Sequence, residues 1–281
     1  LHYPLRRQRQ MCIRDSYNNV LTGVSLSGDK YTYQNPLNTD KPDRWEWHVC
    51  PCCPPMFLKI MAAMPGYIYA YQGDNVYVNL FIGSEVRVPV GKSNSVRLKQ
   101  LTSYPWHGAV SIQVNPDKAS TFSMKVRIPG WAQGTENPYD LYQSNLKAPV
   151  KLKVNQEDVL LRIVDGYAEI NREWKKGDHI ELELPMQPRL ITANKAVENL
   201  RGQVALASGP IIYCFEDADN PELQTFKLQA QTPLELSHDS NLLNGVNIIK
   251  CQGDIPAKAI PYYAVANREE SHSYKVWIPQ K

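Results

Sequence analysis

At 281 residues the chain is long enough for two domains, and its formal net charge of +3 is too small and too scattered for a nucleic-acid-binding stripe. No apolar run approaches the roughly 20 residues that cross a bilayer as a helix. Nothing near the start has the charged, apolar and small-residue regions of a secretory signal.

The first residues read as foreign. Met11-Cys12-Ile13-Arg14-Asp15-Ser16 is the peptide encoded by a transposon-library sequencing adapter, and Leu1 to Gln10 is basic with no clean element. The alternative is an ordinary basic arm. The favoured expectation is a truncated metagenomic reading frame, with residues 1–16 an artefact and the natural protein continuing upstream. Any export signal would then be missing, which leaves bacterial cytoplasm, periplasm and exterior all open.

Beyond that point Val20 to Leu26 reads as the end of an element, and Ser27-Gly28-Asp29 as a turn. Tyr31-Thr32-Tyr33 is a short strand or extended loop. A polar loop from Asn38 to Arg44 leads to Trp45 and Trp47. Next comes His48-Val49-Cys50-Pro51-Cys52-Cys53-Pro54-Pro55, which holds three of the six cysteines within four positions. The apolar stretch to Met64 reads as a helix stopped by Pro65-Gly66. Proline is tolerated in a first helical turn, so Cys52 and Cys53 belong at the helix entrance. The partial positive charge there favours thiolate. Adjacent cysteines suit a disulfide framework poorly. They suit metal binding, nucleophilic chemistry or both, and a structural zinc knot or a buried thiol patch is an equal alternative at this point.

From Tyr77 the texture becomes that of strands. Tyr77 to Ile82, Phe122 to Ile128, Ala168 to Ile170 and His179 to Leu184 carry apolar runs or strict alternation, with a turn at Lys176-Gly177-Asp178. Short alternating strands at this spacing predict a β-sandwich. Pro185 to Pro188 reads as a boundary. Val204 to Ala207, Ile211 to Cys214 and Tyr274 to Ile278 continue the β pattern. Cys214 and Cys251 stand alone in apolar strands, as buried small hydrophobes do. Asp217, Asp219 and Asn220 read as a solvated turn, with an ion site as the lesser alternative.

The chain resembles glycoside hydrolase family 127, the β-L-arabinofuranosidase family. The carrying motifs are Tyr17 to Leu26, Cys52-Cys53-Pro54-Pro55, Gly66 to Ala70, Tyr77 to Glu85, Arg127 to Trp131 and Gly209 to Cys214, in the family's order. The resemblance implies a mainly β fold: β-sandwich domains preceded by a small helical and loop remnant of an (α/α)6 barrel. It implies boundaries at 17–72 for the barrel remnant, 73–187 for a middle sandwich and 188–281 for a C-terminal sandwich. It also implies a retaining mechanism with Cys52 as nucleophile, and Zn2+ held in part by Cys52 and Cys53. The remaining ligands and the general acid/base would lie upstream, so the chain itself is expected to be inactive. Departures are Met56, where the family often has asparagine, and the approach Trp45-Glu46-Trp47-His48.

Trp45, Trp47 and His48 are further candidates for substrate binding, with packing or loop roles as the alternative. Cys50 is a spare thiol, and Glu85 and Trp131 are read as structural. The expected partner is an arabinose-containing or other plant-type glycan, with neither nucleic acid nor a membrane span, and a homodimer is the candidate assembly. The competing function is a non-catalytic β-sandwich module that binds carbohydrate or buttresses a barrel around a structural zinc or thiol site.

Overall fold

The structure, a computed structural model, describes residues 18, 20–46, 53–252 and 255–281; the side chains of Cys53, Pro54 and Pro138 are not among what it describes. The chain forms two compact units. One comprises the described residues up to Met61 together with 134–147 and 187–281, and the other comprises 62–133 and 148–186. The protein is mostly β.

The second unit is a two-sheet sandwich. One sheet has six antiparallel strands in the spatial order Glu157–Asp158, Lys151–Val154, Asp178–Glu183, Ala109–Pro116, Asn94–Thr102 and Ser84–Val90. The other has five, ordered Ile163–Val164, Tyr167–Trp174, Ser120–Arg127, Asn75–Val78 and Tyr69–Gln72. Its one parallel pairing joins Asn75–Val78 to Ser120–Arg127.

Period-two alternation makes this core. Val96 and Leu98 point inward while Arg97 and Lys99 point out, and Val110, Ile112 and Val114 repeat the pattern on the neighbouring strand. Each such side chain contributes about 1.5–3 kcal/mol on burial. Trp174 is fully buried and donates its indole N–H to the Phe122 carbonyl at 3.0 Å. Gln100 occupies an inward position and donates to the Tyr69 hydroxyl at 2.9 Å and the Leu80 carbonyl at 3.1 Å. Gly108 is required by a close approach, because a Cβ there would lie 1.9 Å from the Leu184 carbonyl oxygen.

The first unit holds a single continuous sheet of ten strands rather than two separate sheets. Its main path runs Leu234–Asp239, Val246–Cys251, Ala257–Pro261, Ile211–Glu216, Gln203–Ser208, Arg189–Ala193 and Tyr142–Ser144. It branches where Tyr274–Lys275 and Ile278–Pro279 pair with central strands, and Asn38–Thr39 pairs with Tyr274–Lys275. The core includes Ile191, Ala207, Cys214, Ile260, Tyr262 and Trp277.

Three sequence expectations are corrected. The strand expected over Tyr77 to Ile82 ends at Val78. Beyond it the Asn79 and Leu80 N–H groups both donate to the Ile68 carbonyl, and Leu80 and Phe81 are buried as irregular chain. The strand expected over Tyr274 to Ile278 is broken in two. The Trp277 N–H donates to the Asn38 side chain, and the Val276 N–H is shared between that side chain and the Leu37 carbonyl. Pro65 does not end helical structure; it opens a second short helix, Pro65–Ile68, where proline sits well at the first position.

Candidate functional site

The cysteine motif stands at the start of helix α1 (Cys53–Ala63). Its opening Cys-Pro-Pro and the following apolar run explain where the helix begins. No acidic side chain occupies the first turn to offset the partial positive charge of the free N–H groups. Met56 and Leu58 on this helix are 49% and 66% exposed, so its apolar residues are not sealed within the described structure. Of the expected site residues, Trp47, His48 and Cys52, and the spare thiol Cys50, lie outside the described residues. For Cys53 the backbone alone is described.

Trp45 and Glu46 are exposed. Trp45 is fixed through its backbone: its N–H donates to the Tyr31 carbonyl and its carbonyl accepts from the Tyr31 N–H, both at 2.8 Å. Its indole N–H donates to Asp43. Next to it Arg44 reaches the turn at Val265 and Ala266, with Nε 3.0 Å from the Ala266 carbonyl and Nη2 2.8 Å from the Val265 carbonyl. Two tyrosine hydroxyls, of Tyr262 and Tyr274, donate to the Pro36 carbonyl at 2.8 Å each. Sequence reasoning found Trp45 but missed Arg44, Tyr33 and Asn35 beside it. Nothing in the local pattern announces a partner more than two hundred residues along the chain.

The remaining thiols separate clearly from the motif. Cys214 and Cys251 are buried and unbridged. Burial pushes the Cys214 thiol well up and that of Cys251 to about 12. Burial thus favours the neutral thiol in both, over the thiolate that nucleophilic attack requires.

Asp219 is not a solvated turn residue. Its carboxylate is held by Lys258 at 2.5 Å and Arg268 at 2.7 Å, and Arg268 also binds the buried Glu216. Burial raises its pKa, but the hydrogen bonds from Arg268 and Lys258 outweigh that and hold it below the usual carboxylate range.

Zinc chemistry can be set against this donor inventory. Among the described residues no group of three or more His, Cys, Asp or Glu side chains could hold a metal ion. Two adjacent thiols are apt donors for a soft cation but make up half of a four-ligand set.

Comparison with known proteins covers the whole arrangement. Family models match in chain order: the GH127 β-L-arabinofuranosidase catalytic domain at residues 10–66, the GH127 middle domain at 75–186 and the family 127 C-terminal domain at 188–279. The non-reducing end β-L-arabinofuranosidase of Bifidobacterium longum subsp. longum is 29% identical, over 91% of this chain and 43% of its own length. A solved GH127 β-arabinofuranosidase superposes with a TM-score of 0.90 at 33% identity, covering 98% of this chain and 46% of that one. A GH127 β-L-arabinofuranosidase from Geobacillus stearothermophilus gives 0.87 at 32% identity, with coverages of 98% and 46%. The chain thus spans less than half the length of these relatives. Three matched segments in the family's order, and a shared fold at a third sequence identity, make this chain a member of glycoside hydrolase family 127.

Proposed function

We propose that the full-length protein is a retaining glycoside hydrolase that releases β-L-arabinofuranosyl units from an arabinose-containing glycan, with Cys52 as its nucleophile. The observation that carries this reading is the catalytic-domain match over residues 10–66, which contains the paired cysteines, the second of which opens α1. A retaining mechanism needs a nucleophile on one face of the anomeric carbon and a proton donor on the other. The Cys52 sulfur would form a bond to that carbon as the glycosidic C–O bond breaks, and the leaving oxygen would take its proton from a general acid elsewhere in the protein. Water would then displace the sulfur from the sugar.

Cys52 and Cys53 would hold two of four positions around a zinc ion. Zinc, when bound, deprotonates a cysteine ligand and fixes the direction of its sulfur. The helix N-terminus acts in the same sense through its unpaired N–H groups. Trp45, Trp47 and His48 would line the approach to the sugar. With two ligands and no assigned acid, the 281-residue chain alone is expected not to turn over substrate.

The test uses the full-length enzyme. Cys52→Ser is expected to abolish release of p-nitrophenol from its β-L-arabinofuranoside and to lower zinc content, while Cys251→Ala leaves the specific activity of folded enzyme intact. Metal-free protein with a fully active Cys52→Ser variant would end this reading.

A further inference from the structure

The chain over 262–267 ties three points of the segment that leads to the paired cysteines. Tyr262 donates to the Pro36 carbonyl, the Asn267 side chain accepts the Leu26 N–H at 2.8 Å, and the Val265 and Ala266 carbonyls accept from Arg44. Asn267 is itself braced, since its amide donates to the carbonyls of Ala264 and Val265 at 2.8 and 3.1 Å. Ala266 stands at φ 56°, a left-handed conformation that a Cβ disfavours. Such a conformation persists where its surroundings over-determine it, and it gathers at the working parts of proteins.

The surroundings here are charged. Glu216, whose side chain is fully buried, accepts the Ala266 N–H at 2.7 Å through Oε1. Its Oε2 is taken by Arg268, which also binds Asp219. Ala266 is thus gripped at its N–H by a carboxylate and at its carbonyl by a guanidinium. Hydrogen bonds with an ionised partner are stronger than neutral ones. Burial works against the Arg44 charge, and Tyr274 and Glu216 work for it. The contacts Asp219–Arg268–Glu216–Ala266–Arg44 run unbroken from strand Ile211–Glu216 to the residue before Trp45.

We infer that Arg44 is a positioning residue for the proposed nucleophile, and that Glu216 and Arg268 act through it. Arg44 stands eight positions before Cys52 in the sequence. On the other side of the cysteines, helix α1 has no buried side chain among its described residues, so burial does not fix that side. On the near side the fixed points are the Arg44 guanidinium and the backbone pair of Tyr31 with Trp45. The bond angle of attack at a sugar carbon is demanding, so a nucleophile held at the wrong angle loses rate before it loses binding. The role rests on the reading of Cys52 given above; the clamp on Ala266 does not.

Two measurements on the full-length enzyme test this. Arg44→Ala should raise hydrogen exchange at the Tyr31 and Trp45 N–H groups about tenfold or more and leave Gln203–Ser208 unchanged. The same variant should lower kcat for p-nitrophenyl β-L-arabinofuranoside about tenfold or more per folded enzyme, with little change in KM. Arg44→Lys keeps the charge and a donor for one carbonyl, and should recover much of that kcat. Glu216→Gln keeps an acceptor for the Ala266 N–H without the charge and should give an intermediate loss. Arg201→Ala, at an exposed ion pair in the same unit, should change nothing. Should Arg44→Ala fail to fold, Arg44→Gln takes its place with the same expectations. Exchange that does not rise at Trp45, or rises equally at Gln203–Ser208, overturns the inference. So does a kcat within about twofold of the parent. A Cys52→Ser enzyme that stays active ends the proposed function instead, and no Arg44 variant can produce that result.

Discussion

Replacing Glu136 by alanine should destabilise the first unit by about 3–5 kcal/mol, the usual cost of removing one partner from a buried ion pair. Arg189 and Glu136 have side chains 2% and 0% exposed. Arg189 Nε donates to Glu136 Oε1 at 2.6 Å, Nη2 to Oε2 at 3.0 Å, and Nη1 to the Gly209 carbonyl at 2.8 Å. Alanine removes both carboxylate bonds and leaves a charged guanidinium in the interior without this counter-ion. The two units need not unfold together, so a single melting curve is a poor readout. Native-state hydrogen exchange reads each separately. Protection in Gln203–Ser208 should fall about a hundredfold to a few thousandfold at 1.4 kcal/mol per decade. Asn94–Thr102, in the other unit, serves as the internal reference. A double replacement, Arg189→Met with Glu136→Leu, removes both charges and should recover most of the loss. Protection in Gln203–Ser208 that drops less than tenfold in the alanine variant would refute the reasoning.

Two further outcomes follow from the same unit. Asn38→Ala removes the acceptor of the Trp277 N–H at 3.0 Å, while the Val276 N–H keeps the Leu37 carbonyl at 2.8 Å, and should cost about 1–3 kcal/mol, read as faster exchange at Trp277 but not at Val276. The depressed carboxylate of Asp219 contributes stability that is present above the ordinary carboxylate pKa and disappears as pH falls through its lower folded value. Urea midpoints for this unit should therefore fall on acidification below about pH 4, and Asp219→Asn should flatten that dependence. An unchanged acid slope in the variant would remove Asp219 as its source.

What the sequence revealed depended on whether the determining contacts were local. The helix at Cys53–Ala63 could be read because its proline start and apolar run lie in eleven consecutive residues. Strand Ser120–Arg127 could be read because Phe122, Met124 and Val126 alternate toward one core face. Tyr77 to Ile82 misled because Leu80 and Phe81 are as apolar as strand residues, while the Ile68 carbonyl that captures the Asn79 and Leu80 N–H groups belongs to another element. The surroundings of Trp45 were half legible. The tryptophan suggests a sugar platform by residue type, but Arg44 gains its meaning only from the carbonyls of Val265 and Ala266. The branched ten-stranded sheet was not legible, since pairings such as Asn38 with Lys275 leave no periodic trace in either segment.

The clamp between the two ends of the chain has a consequence for anyone who would cut this gene. The Asn18 amide donates to the Pro210 carbonyl at 2.9 Å and accepts from the Ile212 N–H at 2.8 Å, much as a short piece of strand would. Pro36, Asn38 and Arg44 add ties to Tyr262, Trp277 and Val265. The segment up to Met61 therefore belongs to one unit with 187–281, and the family boundary after residue 66, just beyond that point, does not mark it as a separate body. Grafting the segment that bears the paired cysteines onto another scaffold would strip it of its support, whereas lifting out 148–186 together with 62–133 would not sever these ties.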